Sequence, residues 1–255
     1  MKRWFTGFMM SWGMFLAIPC PCRIWDEKAR PHMVACLPLT GGVVGLVWAA
    51  MAWLLQRLGC AAPLRAVLLA AAPWLVTGFL HLDGYMDVCD ALLSRRDLAT
   101  RQKILKDSHC GAFAVIRLCT YFLAYFCVAF CIRFSLRVGL CWTLALVLER
   151  GLSGLAVAAF PMAKNTGLAH TFATAADRES VQKILIVLSV LLAAALIALG
   201  GGALVAAALL MLWRYHHVAV KEFGGITGDL AGWFLQKAEF WMLAALAASQ
   251  WGGIL

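Results

Sequence analysis

Long apolar runs alternate with short polar breaks along this chain, and that alternation predicts a stack of membrane-crossing helices. Residues 4–18 form a first apolar stretch rich in Trp, Phe and Met. It is short for a span and reads as either an interfacial helix or a short crossing. A polar loop with Arg23, Lys28 and Arg30 follows. Apolar runs then lie at 34–55, 64–80, 112–132, 138–160, 184–199, 203–220 and 230–251. Most of them approach the roughly 20 residues that a bilayer core requires. About seven spans are therefore expected. Thr40-Gly41-Gly42 and Gly45 lie inside the first of these, where small residues permit close helix contact, and Gly200-Gly201-Gly202 marks a tight turn. There is no internal repeat, and no linker long enough to divide the chain, so 1–255 reads as one all-α, polytopic membrane domain.

Composition agrees. Hydrophobic residues make up 63% of the chain and charged residues only 14%, against about a quarter charged in an average globular protein; mean hydropathy is +0.83. The net charge of +9 would suggest nucleic acid in a soluble protein. In a membrane protein it follows first from Lys and Arg on cytoplasmic loops, with an anionic substrate as a second contributor, and nucleic acid is not an expected partner. The ten cysteines are scattered, mostly within apolar runs, where free cysteine behaves as a small hydrophobe. Cys20-Pro-Cys22 lacks zinc-site spacing, and the N-terminus shows no convincing cleavage site for a secretory signal. Alternate loops carry unequal charge: twelve basic residues, Lys164 among them, fall on one side and four on the other. The positive-inside rule puts the twelve in the cytoplasm, together with two polar segments, 81–111 and 221–229.

The first of these segments, HLDGYMDVCDALLSRRDLATRQKILKDSHCG, holds five of the thirteen acidic residues: Asp83, Asp87, Asp90, Asp97 and Asp107. Asp83, Asp87 and Asp90 are spaced i, i+4, i+7 and share one helix face. Like charges so placed repel, and a divalent cation between them removes the cost; oxygen ligands select Mg²⁺ or Ca²⁺. The competing reading, a solvated face, would normally interleave cations at i+4, and none is present. Gly84 allows a close backbone approach. His81 reads as a ligand, a proton shuttle or a partner of Asp83. From Arg95 to Lys106 the pattern is basic and amphipathic, and two readings stay open: an interfacial helix on lipid phosphates, or Arg95, Arg101 or Lys106 on a substrate phosphate. The second segment, KEFGGITGD, brings Lys221, Gly224, Gly225 and Thr227 to the start of a helix, where backbone N–H groups bind anions. It is no P-loop, and Asp229 is either an N-cap or another metal ligand. Glu149, Arg150 and Arg214 are charges at membrane depth. Adjacent residues do not face each other on a helix, so Glu149 and Arg150 are each expected to need a partner on another helix or a polar cavity. His216-His217 reads as interfacial.

HLDGYMDVCDALLS with ILKDSHCGAF, and GGITGD near the C-terminus, resemble the adenosylcobinamide-GDP ribazoletransferases, also called cobalamin-5′-phosphate synthases. FLAIPCP followed by LPLTGGVVG is similar to that family's opening, and Arg150-Gly151 fits its later pattern, so the resemblance covers essentially the whole chain. Ala114, Ala91, Cys20 and Cys22 depart from the usual residues at packing positions. The resemblance implies a Mg²⁺-dependent phosphotransfer at the bacterial inner membrane, with the site facing the cytoplasm. Adenosylcobinamide-GDP and α-ribazole, or α-ribazole 5′-phosphate, would give adenosylcobalamin, or its 5′-phosphate, and GMP. On that basis Asp83, Asp87 and Asp90 would hold Mg²⁺, with Asp229 a further ligand. Arg95, Lys106, Arg150, Lys221, Thr227 and the Gly224-Gly225 turn would meet phosphate, and His81 or Asp107 would accept the hydroxyl proton. A CDP-alcohol phosphatidyltransferase is disfavoured because its pattern needs Ala-Arg soon after Asp-Gly, whereas Tyr-Met-Asp follows here. An ion or metal transporter expects mid-span carboxylates, for which only Glu149 with Arg150 speaks. A homo-oligomer is compatible with the sequence and is not specified by it.

Overall fold

The structure, a computed structural model, describes residues 2–107, 109–163 and 175–255; Lys164 lies outside them. The described chain is helical: α1 (Lys2–Phe15), α2 (Arg30–Ala35), α3 (Leu37–Arg57), α4 (Ala62–Val76), α5 (Leu80–Leu93), α6 (Leu98–Ile104), α7 (Ala112–Cys131), α8 (Leu136–Ala159), α9 (Ala175–Ala198), α10 (Gly202–Phe223) and α11 (Gly228–Trp251). Local chemistry sets several starts. Pro31, Pro38 and Pro63 sit in the first turns of α2, α3 and α4, where a missing N–H costs nothing. Ser135 and Thr227 cap α8 and α11 by accepting from Val138 N and Leu230 N, each at 3.2 Å.

Five helices, α3, α7, α8, α9 and α10, are long and apolar enough to cross a membrane, and six crossings result if the bent pair α4–α5 is one broken span. That is fewer than the seven expected, for two reasons. The run at 64–80 does not continue as one rod: α4 ends at Val76 and α5 departs at 92°. Gly78 (φ 61°) and Phe79 (φ 63°) are successive left-handed residues, a conformation that costs about 1–2 kcal/mol for a residue with a side chain. Ala17 N donates to Val76 O at 2.8 Å, tying the end of α1 to the bend. The run at 230–251 is one helix, about 36 Å at 1.5 Å per residue, but Gln236, Lys237 and Glu239 interrupt its apolar character. Most of its residues are buried against α5, α7, α8 and α10. A helix enclosed by protein needs no lipid-compatible surface.

α8 is the most buried of the five crossing helices, whereas α7 and α9 turn most of their surface outward. α3 lies on α8 through the expected small residues. A Cβ at Gly41 would stand 2.7 Å from Leu146 C, and one at Gly45 2.6 Å from Thr143 Cα. The interior is not wholly apolar. Trp74 Nε1 on α4 donates to Gln236 Oε1 on α11 at 3.0 Å, Tyr121 on α7 donates to the same amide oxygen at 3.0 Å, and Tyr125 donates to Glu239 Oε1 at 2.8 Å. Glu149 and Arg150, expected to need separate partners, pair with each other. The long guanidinium arm folds back along α8 into space that Gly41 leaves open, where a Cβ would come within 2.8 Å of Arg150 Cδ.

Candidate active site

The bend after α4 carries α5 onto the first turns of α11, and the two backbones touch. A Cβ at Gly84 would lie 2.8 Å from Asp229 O and 2.9 Å from its Cα; one at Gly232 would lie 3.2 Å from His81 O. A side chain at Gly84 would force the backbones apart, and one at Gly232 would fit only tightly. This crossing sets Asp229 beside the Asp83–Asp87–Asp90 face of α5, so two motifs some 140 residues apart build one acidic cluster. Asp83 is exposed, and Asp87, Asp90 and Asp229 are half-buried. Burial, then the charges of Asp83, Asp229 and Asp90, push the Asp87 carboxyl up to about 6. Burial first, with Asp83 contributing, also raises Asp229.

Asp90 has a second contact. Its carboxylate lies over Gly111, the N-cap of α7, leaving no room for a Cβ there, and accepts weakly from Ala114 N at 3.4 Å. A carboxylate at that end complements the helix dipole. Two residues before Gly111, His109 is tied to Asp107: its backbone N donates to Asp107 Oδ1 at 3.0 Å, and Nδ1 meets the same oxygen at 2.7 Å. Both side chains are exposed. The hydrogen bonds from His109 hold the Asp107 carboxyl below its usual range. The Asp107–His109 pair thus lies just before the start of α7 in the chain, and His109 is a residue that the sequence pattern alone did not single out.

Other expected members fall elsewhere. His81 is buried, its ring stacked on Phe15 at 6.4 Å, and lies roughly 160° around α5 from Asp83 at 100° per residue, so it does not join the carboxylates. Burial, then Arg150, push its imidazole down to about 3, which removes it as a proton acceptor near neutrality. Arg150 itself is enclosed and held by Glu149. The Gly224-Gly225 turn does not offer its N–H groups: Gly224 N donates to Val220 O at 3.2 Å, Gly225 N to Ala219 O at 2.8 Å and Ile226 N to Pro161 O at 2.8 Å. It ends α10 and pins the segment after α8 through a parallel bridge between Met162 and Ile226. The Thr227 hydroxyl caps α11. Arg95, Lys106 and Lys221 are exposed. Arg101 pairs with Glu222 across α6 and α10, which docks the basic helix onto the bundle.

The donors fit a hard divalent cation. No carboxylate among Asp83, Asp87, Asp90 and Asp229 has a cationic partner in an ion pair among the described residues. No three His, Cys, Asp or Glu side chains of the described residues converge closely enough to enclose an ion by themselves. An ion held here would therefore take much of its shell from water and substrate phosphate, a mode open to Mg²⁺.

The description "cobalamin-5-phosphate synthase" belongs to a family model that matches residues 7–247. The chain belongs to that family. It is 35% identical over 248 residues to an adenosylcobinamide-GDP ribazoletransferase of Lachnoclostridium phytofermentans, covering 96% of this chain and 94% of that one. It is 34% identical over 243 residues to the protein of that name from Clostridium botulinum, covering 94% and 96%. For the one from Geobacillus sp. the identity is 32% over 252 residues, covering 95% of each. No solved structure matches the chain.

Proposed function

We propose that this chain carries out the joining step named in its relatives: adenosylcobinamide-GDP and α-ribazole, or α-ribazole 5′-phosphate, give adenosylcobalamin or its 5′-phosphate, with GMP released. The observation that carries this reading is the α5–α11 crossing, which gathers Asp83, Asp87 and Asp229 without cationic partners. One or two of Asp83, Asp87 and Asp229 would hold Mg²⁺, water and substrate phosphate completing its shell, with Asp90 braced on the start of α7. When bound, the ion would neutralise diphosphate charge as the phosphorus–oxygen bond to GMP breaks. The residues of this chain position the reactants around it. The ribazole hydroxyl attacks the phosphorus attached to cobinamide, and its proton passes to His109 Nε2, oriented by Asp107 at the other ring nitrogen. Exposed Arg95, Lys106 and Lys221 supply positive charge for the departing GMP. The excess of basic residues on this side supports a cytoplasmic site in a bacterial inner membrane.

The test is GMP release by the purified protein in detergent, given adenosylcobinamide-GDP, α-ribazole and Mg²⁺. GMP above the protein-free control is expected. Its absence, from protein that is monodisperse and folded, contradicts the reading.

A further inference from the structure

On the opposite flank of α5 lies a cavity of about 460 Å³ with inverted charge. Cys89 and Leu92 of α5 form one wall, and Arg117 of α7, Arg214 of α10 and Lys237 of α11 converge on it, with His217 at the rim. The Arg101–Glu222 pair closes the side towards α6. Arg117 lies near Tyr85 and Cys89, and Lys237 lies over the Tyr85 ring at 5.6 Å. Among the described residues no carboxylate pairs with Arg117, Arg214 or Lys237. With Glu222 already committed to Arg101, the cavity carries three uncompensated positive charges.

The three cations come from separate helices, yet they lie at similar depth. At 1.5 Å per residue, Arg117 stands about 8 Å from the start of α7, Lys237 about 13 Å from the start of α11, and Arg214 about 13 Å from the end of α10. All three helix ends border the acidic side of the molecule. Arg117 and Arg214 lie in membrane-crossing helices, where unpaired cations are costly and mark functional sites by default. Around α5 the Asp83–Asp87–Asp90 face and the Tyr85–Cys89–Leu92 face are roughly 120–180° apart, so the helix separates a carboxylate site from a guanidinium site. Next to the cavity residues, Ile116 and Trp213 are exposed on the outer surface of α7 and α10.

We propose that this cavity is a second, metal-independent anion site that takes a phosphate group. Arg117 and Arg214 supply planar hydrogen-bond donors, and Lys237 supplies a point charge. The phosphate has two sources: the headgroup of an anionic phospholipid entering between α7 and α10, or a water-soluble phosphate ester. The site does not depend on the carboxylates and stands or falls separately from the reaction assigned above.

The test uses the full chain in neutral detergent with EDTA present, so that no divalent cation bridges the carboxylates. Inorganic phosphate is titrated in and followed by tryptophan fluorescence, for which Trp233 lines the cavity. A saturable response is expected. It should weaken at least tenfold in Arg117→Gln and in Arg214→Gln, survive in Arg214→Lys, and survive in Asp87→Asn. Because Arg117 and Arg214 lie on different helices, loss of folding in one variant leaves the other to report. Repeating the titration in micelles doped with phosphatidylglycerol separates the sources: a response weakened at least fivefold supports the site with lipid as its occupant, and an unchanged one supports it with a soluble phosphate. No saturable response in the wild type overturns the proposal. So does an undiminished response in both Gln variants, or one abolished by Asp87→Asn.

Discussion

Within 81–111, aspartates of the same type do different work, and the differences are testable one residue at a time. Asp83 and Asp87 face the open side of the cluster, whereas Asp97 caps α6, accepting from the Thr100 hydroxyl at 2.5 Å. Asp83→Asn or Asp87→Asn should lower GMP release by roughly 10²-fold or more, as loss of a group that stabilises transition-state charge does. Asp97→Asn should stay within about threefold of wild type, because Asn caps a helix about as well as Asp. His109→Ala should lower kcat by about 10²-fold with little change in KM if it takes the proton. The raised Asp87 carboxyl also predicts a pH effect. Its folded value of about 6 lies above the ordinary carboxylate value, so protonation favours the folded state. Its contribution is full below pH of about 4 and is lost as pH rises through about 6. In EDTA the melting temperature of the wild type should fall over that window relative to Asp87→Asn, and Mg²⁺ should remove the difference. The aspartate ladder was legible in sequence because i, i+4, i+7 defines a face without tertiary information. His109 was not, because its significance depends on Gly111 lying against Asp90. Glu239, Lys237 and Arg117 were not either: a polar residue within an apolar run gives no sign of the partner that it will meet on another helix.

At the scale of elements, the site depends on a crossing, and the crossing depends on glycine. Gly84→Ala would place a Cβ 2.8 Å from Asp229 O and force α5 from α11, a rigid backbone contact with no flexible side chain to yield. A loss of about 1–3 kcal/mol is expected from overpacking of this kind, read as a drop in melting temperature. Activity should fall further than stability, because Asp83 and Asp87 move relative to Asp229. Gly232→Ala should do the same more mildly, at 3.2 Å. Gly84 was legible as a point of close approach, but its partner was not. The break before α5 was hidden in sequence too: Gly78 is one small residue in an apolar run, and the left-handed turn extends to Phe79, which has no such preference. Hydropathy therefore joined α4 to the residues after it and read α11 as a span, because apolar composition does not distinguish a helix facing lipid from one facing protein. The Gly224-Gly225 turn was misread for a related reason. A glycine turn before a helix exposes its N–H groups only if nothing else takes them, and here the end of α10 and the segment after α8 do.

For the whole molecule, the interior holds a buried ionic cluster. Glu149 and Arg150 on α8 are enclosed, and Glu239 of α11 lies near enough to act on both. Arg150→Met should cost about 3–5 kcal/mol by leaving carboxylates buried without their counter-charge, and Glu149→Gln added to it should recover part of that. Four crossing helices, α7 to α10, separate α5 from α11. An even number returns the chain to one side, in agreement with the direct contact of the two helices. The central claim is that this contact assembles the reaction centre, and Asp229 tests it most directly, because it belongs to α11 alone. GMP release should be measured for the wild type, Asp229→Asn and Asp97→Asn, each purified, folded and supplied with adenosylcobinamide-GDP, α-ribazole and Mg²⁺. The account predicts a loss of roughly 10²-fold in Asp229→Asn and near-wild-type release in Asp97→Asn. Full activity in Asp229→Asn would contradict it.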